Sequence, residues 1–161
     1  MKKNLLFLFL FLSTININAQ YVDLGLLSGT LWKSSNEEGY YTQDEADMLY
    51  EGKLPSEHNF QELIDQCTWR WTGDGYRIIG KNGNSIFLPA DGFYRKEDGI
   101  RGRHERLINV GSHGSYWGED IKESQSGNGY LAVCLGFRKD SHSILYFPRN
   151  GARSIRLVKR F

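Results

Sequence analysis

The sequence predicts an α+β domain in which short helices and short antiparallel strands are joined by long loops. Three observations carry that reading. Apolar residues recur at helical spacing between Ser56 and Cys67, an Asn82-Gly83 turn separates two strand-like runs, and large apolar residues alternate with smaller ones from Tyr130 to Phe137. Many aromatics and 18 glycines against 3 prolines point the same way, to short strands and many turns rather than a helical bundle.

Residues 1–19 read as an export signal, with Lys2 and Lys3 as a basic start, an apolar run from Leu5 to Leu12, and Ala19 before the expected cut. Those eight apolar residues are too few to span a bilayer. No cysteine near the cut offers a thiol for lipid attachment, so an exported chain without a membrane anchor is expected, periplasmic, surface-held or secreted. The remaining 142 residues, Gln20 to Phe161, suit a single domain. Losing Lys2 and Lys3 turns 20 basic against 19 acidic residues into 18 against 19, a balance that does not steer toward nucleic acid.

Taken in order, Tyr21–Leu24 is a short strand, 25–29 a turn, and Leu31 and Trp32 a second short buried segment. Thr42 opens a helix, because Glu45 three residues later completes a reciprocal capping box. Asp44, Glu45 and Asp47 then read as first-turn acids on a solvated face rather than metal ligands. Ala46, Leu49 and Tyr50 are expected to face inward, and Gly52 to end the helix. Pro55 and Ser56 start a second helix, whose Phe60, Leu63, Ile64 and Cys67 fall at i, i+3, i+4 and i+7. Trp69 and Trp71, two apart, share one strand face, and a hairpin follows, Tyr76–Ile79 turning through 80–84 into Ser85–Pro89.

Residues 91–115 read as a long polar surface loop carrying Arg95, Lys96, Arg101, Arg103 and Arg106 among acids, broken by one apolar piece, 107–110. The runs 130–137, 144–147 and 154–159 are expected to form an antiparallel meander, their connections being too short for crossovers. Cys67 and Cys134, 67 positions apart, leave two readings open. One is a disulfide adding about 4 kcal/mol through chain entropy. The other is two separate buried thiols packing as small hydrophobes.

Taken together, VDLGLLSGTLW at 22–32, YYTQDEA at 40–46, LPSEHNFQELIDQCTWRWT at 54–72, GYRIIGKNGNSIFLPADGF at 75–93 and GSYW at 114–117 resemble one family. It is the Fibrobacter succinogenes major paralogous domain, a group of small secreted bacterial modules distantly similar to formylglycine-generating-enzyme and C-type-lectin-like folds. The resemblance implies a C-type-lectin-like domain with two helices packed on small antiparallel sheets, its first strand, Tyr21–Leu24, paired with 154–158. It also implies loops presented on one side, in a fold whose lectin-like relatives generally bind something. The chain departs from the family where YWSS is usual and Tyr116-Trp117-Gly118-Glu119 stands, and where S-V-R-P-V is usual and 154–158 read SIRLV.

Chemical motifs are sparse. His58, His104, His113 and His142 show no metal-ligand spacing, no G-x-S-x-G elbow occurs, and the two cysteines are not a reactive pair. No catalytic residue, cofactor or metal is therefore expected. A noncatalytic binding module is the leading reading, using loops at 114–129 and 139–151. Its candidate ligand residues are Tyr116, Trp117, Glu119, Asp120, Arg138, His142, Arg149 and Asn150. Carboxylates beside an exposed aromatic hold sugar hydroxyls or calcium well, which is why 116–120 stands out. The rival readings are a structural or adhesin subunit, and a hydrolase built on Glu119 and Asp120 with a histidine such as His113.

Overall fold

In chain order the elements are β1 (Tyr21–Asp23), β2 (Leu31–Lys33), α1 (Gln43–Leu49), α2 (Glu57–Gln66), β3 (Thr68–Trp71), β4 (Gly75–Ile79), β5 (Ser85–Pro89), β6 (Phe93–Lys96), β7 (Glu105–Ile108), β8 (His113–Glu123), β9 (Tyr130–Arg138), β10 (Ser141–Pro148) and β11 (Val158–Lys159). They come from a computed structural model that describes residues 20–96, 105–127 and 129–161. The expected export signal, and Arg101, Arg103 and His104 of the basic stretch, lie outside the described residues.

Both helices begin as their caps dictate. Thr42 accepts from the Glu45 N–H while Glu45 reaches back to the Thr42 N–H, and Ser56 and Asn59 repeat the exchange at α2. In α2, Phe60 and Leu63 are fully buried, with Ile64 and Cys67 half-buried beside them. In α1 only Ala46 follows the expected inward set completely. Leu49 is 57 % exposed, because a helix of seven residues turns too little surface to the core to cover it.

Among the described residues four small antiparallel sheets carry the rest, ordered β1-β2-β11, β3-β4-β5, β6-β7 and β10-β9-β8. The β4–β5 hairpin has the expected register, Ile78 opposite Ile86, and Trp69 and Trp71 share a face and both meet the Tyr76 ring edge-on. Three expectations need correction. β1 and β11 do not pair with each other, since β2 stands between them and bonds to both. The meander is β8-β9-β10, not 130–159, because the chain after Pro148 leaves the sheet to close against β2. The long loop at 91–115 is in large part a hairpin, β6 against β7, in register from Phe93 opposite Ile108.

The β8-β9-β10 sheet is covered on both faces, and this fixes where a site can be. Val133, Leu135 and Phe137 of β9 enter a core with α2 and the β3-β4-β5 sheet. Ala132 and Cys134, on the other face, pack with Trp117, Ala46, Leu54, Ile155 and Leu157 in a second, smaller core. Cys67 and Cys134 are thus in different cores and both are free thiols, so the disulfide is not formed. Burial pushes Cys67 up to about 11 and raises Cys134 as well, which leaves both protonated and unreactive at neutral pH.

Candidate functional site

The smaller core does not extend along the whole sheet. Beyond Trp117 and Cys134, the strand register sets Ser115 opposite Gly136 and Gly136 opposite Ser143, a row of three small residues on one face. The Leu145 side chain leans over Gly136 and the Arg153 guanidinium reaches Ser115, with open space left beside them. A groove of about 410 Å³ lies there, bordered by His113, Arg138 and Ser141 at one end and by Leu145 and Phe147 at the other. Its size falls within the roughly 300–1,000 Å³ usual for small-molecule sites. Gly136 is needed as floor, since a Cβ would come within 2.8 Å of the Leu145 side chain.

Arg153 forms the inner wall. Its backbone is held on both sides, exchanging hydrogen bonds of 2.9 Å with Tyr41, while the next residue, Ser154, donates to the Ser115 carbonyl at 3.2 Å. The β6–β7 hairpin is tied in by the Tyr94 N–H donating to the Ala152 carbonyl at 2.8 Å, which brings Phe93 over the guanidinium. Three rings surround that group, Phe147, Trp117 and Phe93 at 4.2, 4.7 and 5.0 Å from its central carbon.

Arg153 is only 6 % exposed, yet its hydrogen bonding is incomplete. Nη1 donates to Ser115 Oγ at 2.8 Å, and that hydroxyl also lies 3.2 Å from Cys134 Sγ. Nε has no acceptor, and no carboxylate forms an ion pair with the group among the described residues. Burial accordingly lowers the Arg153 pKa from its ordinary value, with only the Cys134 thiol acting against that shift. A buried donor without an acceptor costs about 1–3 kcal/mol, more when charged, so the guanidinium beside the groove has bonding capacity that the described residues do not meet.

The structure disperses the residues expected to bind. Tyr116 and Trp117 are 1 % and 0 % exposed, and their stacking role is corrected: Tyr116 donates to the Pro89 carbonyl at 2.7 Å and Trp117 to the Tyr41 carbonyl at 2.9 Å. Glu119 forms a two-pronged pair with Arg160 at 2.6 and 2.8 Å. Asp120 accepts from the Glu57 N–H, which caps α2. Gly118 allows this arrangement, for a Cβ there would lie 2.5 Å from the Pro55 carbonyl. His142 stacks on Trp69 at 4.2 Å, on the opposite face from Ser141 and Ser143, and burial lowers its pKa. Arg149 bonds to Gln43 at 2.7 Å and pairs with Asp44 on α1. Asn150 borders a neighbouring hollow that shares Phe93 and Arg153 with the groove. Only Arg138 lines the groove itself.

The set proposed for hydrolysis is not brought together. His113 stands opposite Arg138 at one end of β8, while Glu119 lies in the irregular stretch between Trp117 and Ile121, and only His113 borders the groove. Among the described residues no three His, Cys, Asp or Glu side chains could hold a metal ion. No helix among them is long and apolar enough to cross a membrane.

Arg153, Ser115, Ser143 and Phe93 were not singled out by the sequence. Their one signal is small residues in cross-strand register, which appears only once β8 is known to be a strand. No family model matches the chain, and no curated protein or solved structure matches it either.

Proposed function

We propose that this chain is an exported, noncatalytic binding module whose ligand, part of a protein or glycan, enters the groove on the β8-β9-β10 sheet. The observation that carries this reading is the groove itself, floored by Ser115, Gly136 and Ser143 and walled by a guanidinium with unmet bonding capacity. Recognition is moved from loops to a strand face, because both expected loops are largely β8 and β10. The family resemblance and its C-type-lectin-like architecture, together with the export signal, support a binding rather than a catalytic role. The two helices and small antiparallel sheets are compatible with that architecture.

The test is a paired screen on glycan and peptide arrays, with and without calcium, of the protein and of Ser143→Leu, whose larger side chain fills the groove floor. Ligands retained by the protein and lost by the variant are the expected result. Ligands held equally by both would place recognition elsewhere and overturn the assignment of the groove.

A further inference from the structure

We infer that the groove selects a carboxylate monoanion carrying an apolar body, engaged along one edge of the Arg153 guanidinium. This rests on the groove being the binding site and names the chemistry it takes. The Phe147, Trp117 and Phe93 rings crowd around the guanidinium at 4.2–5.0 Å. Nη1 is committed to Ser115. What remains is the side-on edge made by Nε and Nη2. Nε has no acceptor, and no hydrogen bond from Nη2 occurs among the described residues. Two parallel N–H groups on a rigid edge match the two oxygens of a carboxylate in spacing and plane.

The surroundings choose between anions. Among the described residues Arg153 is the one guanidinium buried against this groove, and Arg138, also on its border, is exposed and bonded to Ser141 at 3.3 Å. A single desolvated positive charge balances one negative charge, and a phosphate dianion would bring an excess into a poorly solvated site. Phe93, Leu145 and Phe147 supply the apolar wall for the rest of the ligand. Nε is closed to solvent in this conformation, so two-pronged engagement requires the guanidinium edge to turn toward the groove, with Ser115 Oγ exchanging its bond to Nη1 for the ligand.

A free small acid and the terminal carboxylate of a peptide share this chemistry, and one titration followed by backbone NMR separates them. The probes are 3-phenylpropionate, its neutral amide, phenyl phosphate, and acetyl-Gly-Gly-Phe with a free or an amidated terminus. The acids are expected to shift the Ser115, Gly136 and Ser143 signals and to bind at least tenfold tighter than their amides. A stronger response to the peptide acid assigns the source to a chain end, and a stronger response to phenylpropionate assigns it to a small acid. Arg153→Lys and Arg153→Met should each weaken acid binding at least tenfold, while Arg70→Met, on exposed β3 surface, should leave it unchanged. Should the Arg153 variants fail to fold, Ser143→Leu must remove the same shifts with the guanidinium intact.

Equal binding of acid and amide within the groove would overturn carboxylate selection while leaving the groove as a binding site. Phenyl phosphate binding tighter than the acid would overturn it too. No response of those three signals to any probe at millimolar concentration would overturn the inference outright. The array screen with the filled-floor variant reads the groove independently of ligand charge, so the two failures are distinguishable.

Discussion

Arg153 and Arg156 are three residues apart, both almost wholly buried, and bonded in opposite ways. Arg156, 1 % exposed, donates from Nε to Asn36 at 2.8 Å, from Nη1 to the Lys33 carbonyl at 2.9 Å and from Nη2 to the Phe87 carbonyl at 2.7 Å. It joins the β2 region, the β5 strand and the C-terminal segment at one point. Burial still lowers its pKa to about 10, with Tyr116, Asp91 and Glu37 acting against that shift, so it remains charged at neutral pH. Arg153 has aromatic rings where Arg156 has acceptors, and a groove where Arg156 has backbone. The difference teaches that burial alone does not mark a structural arginine. An acceptor at each of the three nitrogens marks the tie, and a deficit beside open space marks the site.

The comparison breaks most readily at Arg156. Arg156→Met strands two buried carbonyls and the Asn36 amide oxygen, and should destabilise the fold by about 3 kcal/mol or more. Thermal melting should fall by roughly 10 °C. A loss under about 1 kcal/mol in urea titration would show that Arg156 is no tie.

Next in size is Ser115→Ala, which removes the one acceptor that Arg153 has among the described residues, at about 2 kcal/mol. Arg153→Met should change stability by only about 1 kcal/mol or less, since it removes a buried charge that has no carboxylate partner among the described residues and keeps apolar bulk among the rings. The order is therefore inverted from intuition: losing the partner harms more than losing the arginine. The double variant should recover part of the Ser115→Ala loss, and a strictly additive double-variant cycle would contradict this account.

The smallest effect belongs to His142, an interior group able to shed its proton where the two arginines keep theirs. Its folded pKa is lowered by burial, so the unfolded chain binds more protons in the window just below 6.5. Its stability contribution is complete above that value and is lost as pH falls through the folded pKa. His142→Phe, which retains the stack on Trp69, should flatten the urea midpoint across pH 5–7. An unchanged slope would assign the pH dependence to other groups.

Local signals were legible in the residues. Both caps, the α2 stripe, the β4–β5 hairpin and the two-faced β9 follow from neighbours within one or two turns. β8 was not, because Gly114, Ser115 and Gly118 interrupt its apolar pattern, and its burial depends on contacts with Ser154, Pro55 and β9. The pattern SIRLV places Ile155 and Leu157 inside, as they are. It gives no reason for Arg156 to be buried on the other side, since Lys33, Asn36 and Phe87 come from distant parts of the chain. The groove was hidden for the same reason, being a property of register across three strands. Exposed-looking motifs drew attention to Trp117 and Glu119, whose neighbours Tyr41 and Arg160 use them up.

The sheet that closes the fold also sets how the molecule bears force. Asp23 and Lys159 both stand opposite Leu31, while Tyr21 stands opposite Lys33, so β1 and β11 run the same way on either side of β2. Tension applied at 20 and 161 would slide both outer strands along the middle one, loading their hydrogen bonds together in shear rather than peeling them singly.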